Sequence, residues 1–347
     1  MRVLVVGAGA IGSLVGYRLA ASGHAVTLVG RAPWVKAVRS QGLGLEENGE
    51  LRFQANLAAV TDIRALAGNA FDLVICTTKV YDTSEALGQV APLIPAGVPL
   101  LFLQNGVGGE ELAGEAMPQN PRLSGIITLV VDILSPGVIR LTTRRGGIGL
   151  AAVSPGSRVG DYTSLLQQAG FERVRAYDDY RAMKWSKLLL NILGNALPTI
   201  LNMPPGELYI QRSLFDLERA AFCEALAVMR GLGVVPVSLP GYPVPLFAWS
   251  MTRLPALVLH PLFHRLLISG RGGKMPSLYL DLIKGKSKSE VDFLNGAVVS
   301  YAREMGLQVP ANQALYGSLK AILLAQVPVN EFEGRPDKFL SDVGWHL

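Results

Sequence analysis

A glycine-punctuated turn close to the first residue limits what this chain can fold into more than any other stretch. Val3-Leu4-Val5-Val6 runs directly into Gly7-Ala8-Gly9-Ala10-Ile11-Gly12. The apolar run is short and rich in β-branched residues, which suits a strand buried on both faces. Ile11, Leu14, Val15 and Leu19 then recur at helical spacing until Ser22-Gly23, where glycine can adopt the left-handed conformation that ends a helix. Ala25–Val29 reads as a second strand. In such a βαβ unit each glycine has a task. One permits the tight turn, one lets the backbone approach a pyrophosphate, and one lets the helix pack closely on the strand with its N-terminus toward the phosphates. The glycine spacing alone is weak; its place inside a complete strand-turn-helix-strand pattern is what predicts a dinucleotide site at Gly7, Ala8, Gly9, Ala10, Ile11 and Gly12.

The end of the second strand bears on which dinucleotide. An acidic residue there would bond the free 2′-hydroxyl of the adenine ribose, but this chain has Gly30-Arg31, and no carboxylate occurs between Gly12 and Glu46. A guanidinium at that place can pair with a 2′-phosphate, so NADP(H) is expected. A solvated arginine that merely follows a strand is the competing account of Arg31.

The 347 residues are enough for two domains with real cores, and with half the residues hydrophobic and 17% charged the chain is not a disordered one. Met1-Arg2-Val3 offers one basic residue, a very short apolar core and no small-residue cleavage pattern, so neither a leader nor a membrane-spanning segment is expected. The uncharged stretch from 231 to 252 carries Pro236, Pro240, Pro243 and Pro245, each lacking a backbone donor that lipid could not replace. A cytoplasmic protein is expected, with Cys76 and Cys223 as buried, reduced thiols. His260 and His264 are spaced i, i+4 but lack an intervening glutamate, so no metal site is expected. The net charge of +5 is spread along the chain without a basic, aromatic-interleaved face. That suits anionic small molecules, not nucleic acid.

Further along, Leu43 to Val60 carries Asn48-Gly49 between alternating residues, which predicts a hairpin. Phe71–Thr78 and Val98–Leu103 read as buried strands ending at Lys79 and at Gln104-Asn105-Gly106. In an open parallel sheet the carboxyl ends of strands line the ligand crevice, so Lys79 and Asn105 are expected on the cofactor side. Gly125–Leu134 and Gly137–Thr143 read as antiparallel strands closing the same sheet. Beyond Asp178-Asp179 the apolar residues repeat at helical spacing. The expected division is therefore a Rossmann-type dinucleotide-binding domain over 1–178 and an all-helical domain over 179–347, with 231–245 connecting helices.

The helical part opens with Trp185 through Asn195. Lys187, Asn191 and Asn195 fall at i, i+4 and i+8, so on a continuous helix they form one polar stripe on an otherwise apolar rod. Asparagine is a poor helix former, and two of them on a core helix call for specific hydrogen-bonding partners. Ser277 and Asp281 repeat the i, i+4 spacing, and Glu290 through Ala302 reads as a further amphipathic helix.

Taken as an ordered set, these motifs resemble the ketopantoate reductase (2-dehydropantoate 2-reductase) family over nearly the whole chain. They are the Gly7–Gly12 loop with Arg31, Thr78-Lys79, Gln104-Asn105-Gly106, Pro136-Gly137, Trp185 through Asn195, Ser277 with Asp281, and Glu290 with Asp292 and Asn295-Gly296. The resemblance implies NADPH-dependent reduction of ketopantoate to pantoate, with Lys187 as the general acid and Glu290 contacting substrate. It further implies that Asn105, Asn191, Asn195 and Ser277 hold polar groups of the 2-oxo acid, and that Lys79 and Arg31 serve the cofactor. The family's usual Asn-Pro-Leu-Thr is here Asn195-Ala196-Leu197-Pro198-Thr199, one residue is added between Asp281 and Glu290, and 231–275 is longer and more apolar. These departures leave open another branched or aromatic 2-oxo acid as substrate. A non-catalytic NADP-binding sensor is the reading from a different class. The apolar helical part suggests a homodimer.

Overall fold

The computed structural model describes residues 1–143, 145–271 and 274–345. The chain forms two compact units, Met1–Lys184 with Leu239–Tyr242, and Trp185–Ser238 with Pro243–Leu347.

The first unit is built on an eight-stranded sheet. Its first elements are β1 (Arg2–Val6), α1 (Ala10–Ala21), β2 (Ala25–Val29) and α2 (Ala32–Gln41). β1 is central, paired in parallel with β2 (Val3 opposite Val26) and on its other side with Leu73–Cys76. Its side chains alternate between two cores, as an apolar run buried on both faces requires. Val3 and Val5 pack with Leu14, Val15 and Leu19 of α1, while Leu4 and Val6 pack with Phe71, Leu87 and Phe102. The chain continues through β3 (Leu43–Glu47), β4 (Glu50–Gln54), β5 (Ala58–Val60), β6 (Leu73–Cys76), α3 (Thr83–Val90), β7 (Leu100–Leu103), α4 (Gly109–Ala116) and β8 (Arg122–Ile127). Asn48 and Gly49 both have positive φ between β3 and β4, giving the expected hairpin.

β9 (Val130–Ser135) and β10 (Val138–Thr143) depart from expectation, since they do not close the large sheet. They belong to a second, four-stranded sheet of order β4-β3-β10-β9. β8 stays in the main sheet, and the chain leaves it at Thr128, whose N–H still bonds the Gly147 carbonyl at 2.9 Å. The hairpin then turns at Gly137 (φ +78), whose carbonyl accepts from Gly44 N–H at 2.8 Å, so β10 runs parallel to β3. β9 is exposed over most of its length, which suits its place at the edge of the smaller sheet. β11 (Ile148–Ala152), α5 (Val159–Gln168) and β12 (Val174–Tyr177) complete the main sheet, β11 pairing antiparallel with β8 and parallel with β12.

α6 (Tyr180–Ile192) is followed by α7 (Ala196–Leu201), α8 (Pro205–Leu208), α9 (Arg212–Gly231), α10 (Val244–Arg253), α11 (Ala256–Arg271), α12 (Ser277–Leu282), α13 (Asn295–Glu304), α14 (Pro310–Leu323) and α15 (Pro336–Asp342). Every regular element among the described residues of the second unit is helical. The proline-rich connection between α9 and α10 lends four residues to the first unit, where the Pro240 carbonyl accepts from Thr128 Oγ1 at 2.8 Å. In the long 231–275 region, residues 272 and 273 lie outside the described ones. Among the described residues no helix is long and apolar enough to cross a membrane.

One buried polar cluster fixes the carboxyl end of β7. Gln104, the residue after it, donates from Nε2 to the Thr78 carbonyl (2.8 Å) and to Thr83 Oγ1 (2.9 Å), tying the end of β7 to the end of β6. The Gln104 carbonyl in turn accepts from Lys184 Nζ at 2.8 Å. Lys184 is 3% exposed and sits 3.1 Å from Glu110, itself 1% exposed and accepting from Ser124 Oγ at 2.6 Å. Removing one member of such a buried pair leaves an uncompensated charge. Lys184→Met is therefore expected to cost about 3 kcal/mol of unfolding free energy, read from the urea midpoint. A loss below about 1 kcal/mol would show the pair to behave as a solvated one.

Candidate functional site

The dinucleotide half is built where β1 turns into α1. Gly7 has φ +107, a conformation that L side chains rarely adopt, and a Cβ there would lie 2.7 Å from Thr78 N. The N–H of Ala8 bonds the Val29 carbonyl at 2.9 Å, which holds the turn beside the end of β2. A Cβ on Gly12 would stand 2.0 Å from the Gly7 carbonyl oxygen and 2.5 Å from Thr77 Oγ1. That hydroxyl already donates to the Gly7 oxygen at 2.6 Å, so helix, turn and β6 meet without room for a methyl group. Gly9 differs from both: nothing lies within 4 Å of its added Cβ. It is the N-cap of α1, with no side-chain cap and no acidic residue in the first turn. An uncapped helix start with open space before it fits an anionic phosphate group.

The other residues expected on the cofactor side follow strands of the same sheet. Arg31, exposed, is the N-cap of α2 directly after β2. Its neighbour Gly30 passes so near the glycine loop that a Cβ there would meet Ala8 Cβ at 2.9 Å. Lys79 is half-buried, three residues beyond β6, and opens a short 3₁₀ turn (Val80–Asp82). Asn105 is exposed two residues beyond β7. Since β1, β2, β6 and β7 run parallel, their carboxyl ends face one way, and Lys79 and Asn105 follow two of those ends.

In the second unit the helix expected over 185–195 is not continuous. α6 begins at Tyr180 and ends at Ile192, and Gly194 takes φ +62. Lys187 and Asn191 share a face of α6, but Asn195 starts the next helix, so the three do not form one uninterrupted stripe. The Asn195 side chain instead turns back and donates from Nδ2 to the Asn191 carbonyl. Lys187 and Asn195 are half-buried and Asn191 is buried. α7, which Asn195 opens, packs against α12, which begins at the exposed Ser277. Trp185 of α6 meets Tyr301 of α13 edge-on, ring centroids 5.4 Å apart.

Glu290 is buried and begins a 3₁₀ turn (Glu290–Phe293), capped by Ser289 Oγ accepting from Val291 N–H at 3.2 Å. The single helix expected from Glu290 to Ala302 is broken at Leu294 (φ −112, ψ −101), and α13 starts at Asn295. Neighbouring motif residues do structural work: Asp292 pairs with Lys320 at 2.8 Å, Asp281 with Lys286 at 2.6 Å, and Asn295 Nδ2 donates to Asn312 Oδ1 at 3.0 Å. His260 and His264 each place Nε2 against a backbone carbonyl, of Tyr209 at 2.8 Å and Gly206 at 3.3 Å. Among the described residues no group of three or more His, Cys, Asp or Glu could hold a metal. Cys76 is buried, with its thiol pushed up to about 12 by burial, whereas Cys223, expected buried, is half-buried; both are free.

Sequence reasoning missed three supporting residues. Gln104 and Lys184 were legible only as the flank of a motif and as one more helix lysine. Glu218 of α9, 1% exposed, carried no local signal at all. Its carboxylate accepts from Gly194 N–H through both oxygens, at 3.1 and 2.9 Å.

A glycine-turn βαβ unit in a mainly parallel sheet, followed by a helical unit, defines a two-part dinucleotide-binding protein. The family model described as "Ketopantoate reductase PanE/ApbA" matches residues 3–155, and its C-terminal counterpart matches residues 179–323. This chain belongs to the ketopantoate reductase family. It is 29% identical to a 2-dehydropantoate 2-reductase of Pyrococcus horikoshii over 92% of this chain and 97% of that one. To the corresponding protein of Halobacterium salinarum it is 28% identical, over 91% and 96%. A crystal structure of a PanE/ApbA family ketopantoate reductase from Ralstonia eutropha superposes with a TM-score of 0.79 at 28% identity, covering 94% of this chain and 99% of the other. D-Mandelate dehydrogenase, solved with NADH and anilino(oxo)acetate, shares the fold with a TM-score of 0.79 at 24% identity, over 94% of this chain and 99% of its own.

The two glycines of the loop should respond differently to a methyl group. Gly12→Ala is expected to destabilise by about 2 kcal/mol through overpacking, seen as a lower unfolding midpoint. Gly9→Ala should leave that midpoint unchanged and weaken NADPH by roughly tenfold. Equal thermal losses in both variants would refute the assignment of open space to Gly9.

Proposed function

We propose that this protein reduces 2-dehydropantoate to pantoate with NADPH in the cytoplasm, as an enzyme acting on a small 2-oxo acid. The observation that carries this reading is a lysine and an asparagine, Lys187 and Asn191, on one face of a helix whose other faces are buried, in a chain matched by the family model in both parts. Residues 1–178 form the NADP-binding part and 179–347 the helical part for substrate and for assembly as a homodimer. Its ligands are small anions, with neither nucleic acid nor membrane as a partner.

The glycine loop Gly7–Gly12 with Ala8, Ala10 and Ile11 receives the pyrophosphate at the start of α1, Arg31 pairs with the 2′-phosphate, and Lys79 and Asn105 serve the nicotinamide side. When bound, the reduced nicotinamide supplies the hydride for the C2 carbonyl of the oxo acid. Reduction builds negative charge on the carbonyl oxygen, and Lys187 donates the proton that discharges it. Asn105, Asn191, Asn195 and Ser277 hold the carboxylate and hydroxyl groups of the substrate, amides and hydroxyls being able to both donate and accept. Glu290, the second catalytic group, contacts the substrate and fixes its orientation.

The longer apolar region after Gly231 supports a second reading, a branched or aromatic 2-oxo acid other than ketopantoate. Oxidation of NADPH, followed with ketopantoate beside a panel of such acids, separates the two, and tight NADPH binding without turnover of any of them would favour a sensor. In the same assay Lys187→Ala should lower kcat by about 10²–10⁴-fold with NADPH affinity retained. Unchanged turnover would remove Lys187 from the reaction. Arg31→Ala should weaken NADPH by roughly 30-fold, the equivalent of about 2 kcal/mol of charge-assisted bonding, and NADH far less. Equal losses for both cofactors would sink the 2′-phosphate assignment.

A further inference from the structure

Glu218 is a buried carboxylate that no step of the proposed reaction uses, and it sits at the one break in the helical run carrying Lys187, Asn191 and Asn195. In an unbroken helix the Gly194 N–H would donate four residues back, to the Leu190 carbonyl. Here Gly194 is left-handed at φ +62 and its N–H donates to both oxygens of Glu218, which projects from α9. The fully buried Tyr209 steadies the carboxylate from the other side, its hydroxyl donating to Glu218 Oε2. A buried carboxylate that accepts only from its surroundings, with two donors converging on it, has little freedom to move.

The break decides where Asn195 goes. With the chain turned at Gly194, Asn195 takes φ −125, ψ −67 and opens α7, and its carbonyl accepts from Thr199 Oγ1 at 2.7 Å and Thr199 N–H at 3.3 Å. One side-chain N–H is committed to the Asn191 carbonyl. An asparagine amide has a second N–H and an oxygen besides, which is what a polar substrate group needs. Without Glu218, the two carboxylate oxygens that hold the Gly194 N–H are lost, and the turn that leads into Asn195 is no longer fixed from α9.

We propose that Glu218 is the positioning residue for Asn195, holding the Leu193-Gly194 turn so that the Asn195 amide meets the 2-oxo acid; this rests on the reading of Asn195 as a substrate ligand. Glu218 is 1% exposed and acts through the turn it holds, so its expected effect is on the affinity for the oxo acid.

The test is steady-state kinetics with ketopantoate and NADPH on Glu218→Gln, Asn195→Ala and the double variant. Glu218→Gln keeps the size of the side chain but replaces one acceptor oxygen with a donor. It should raise KM for ketopantoate about tenfold, with NADPH affinity within about twofold of the parent. In the Asn195→Ala background the same substitution should raise KM no further, since the group it positions is gone. A merely structural role would give independent, multiplying effects, and that result overturns the inference. So does an unchanged KM in Glu218→Gln while Asn195→Ala raises it. If Asn195→Ala itself leaves KM unchanged, the substrate role of Asn195 fails and the inference fails with it. Should Glu218→Gln not fold, Tyr209→Phe keeps the carboxylate and removes one of its donors. It is expected to raise KM about threefold, again only when Asn195 is present, and the absence of that rise overturns the proposal.

Discussion

The contact on which the first unit depends is the one between Gly12 and the turn at Gly7. α1 comes so close to the end of β1 that a single added carbon would stand 2.0 Å from a carbonyl oxygen. The Thr77 hydroxyl closes the junction from β6. Strand, helix and neighbouring strand are thereby locked at one point, and the rest of the candidate cofactor site follows from topology. β2, β6 and β7 lie parallel to β1, so whatever residue follows each of them emerges at the same edge. Arg31, Lys79 and Asn105 share that edge because of strand direction, not because their own loops prefer it.

The second unit reaches its arrangement by interruption. Asn195 stands where α6 gives way to α7, Glu290 opens a 3₁₀ turn that breaks at Leu294, and Ser277 begins α12. A helix end carries backbone groups without intrahelical partners, and inside a packed unit each must be satisfied from elsewhere. Here carboxylates on α9 do much of this. Glu218 takes the Gly194 N–H, and Glu224 takes those of Ala311 and Asn312 at the start of α14 (2.8 and 2.9 Å). Burial pushes the Glu224 carboxyl above its ordinary range, while the hydrogen bonds from Asn312 and Ala311 pull it back. α9 is thus both the apolar centre of the helical unit and its supply of acceptors.

This division explains what could be read from the sequence. The β1-α1-β2 unit was legible because its signals are local: a β-branched run, three glycines at fixed spacing and a helical repeat, all within thirty residues. The Asn48-Gly49 hairpin was legible for the same reason. The second sheet was not, because β3 and β10 pair across more than ninety residues, and nothing in either strand names its partner. The helix expected to run through Asn195 ends before Gly194, since Pro198 has no N–H for the Gly194 carbonyl and its ring would clash with that carbonyl in an unbroken helix. The asparagine spacing favoured continuity; Gly194 and Pro198 argued locally against it, and the partner of the Gly194 N–H lies on another helix.

α6 carries two lysines three residues apart, and their surroundings divide the labour between them. Lys184 is sealed from solvent, 3.1 Å from the buried Glu110 and 2.8 Å from the Gln104 carbonyl. With these partners and 3% exposure, Lys184 is placed for a structural role. Lys187 is half-buried, on the face shared with Asn191, beyond the point where the first unit ends. A proton donor must be reachable by its substrate, and of the two lysines only Lys187 has appreciable solvent-accessible surface to offer, which supports the role proposed for it. The same helix therefore carries one buried lysine that holds the end of β7 in place and one half-buried lysine that remains for the proposed chemistry.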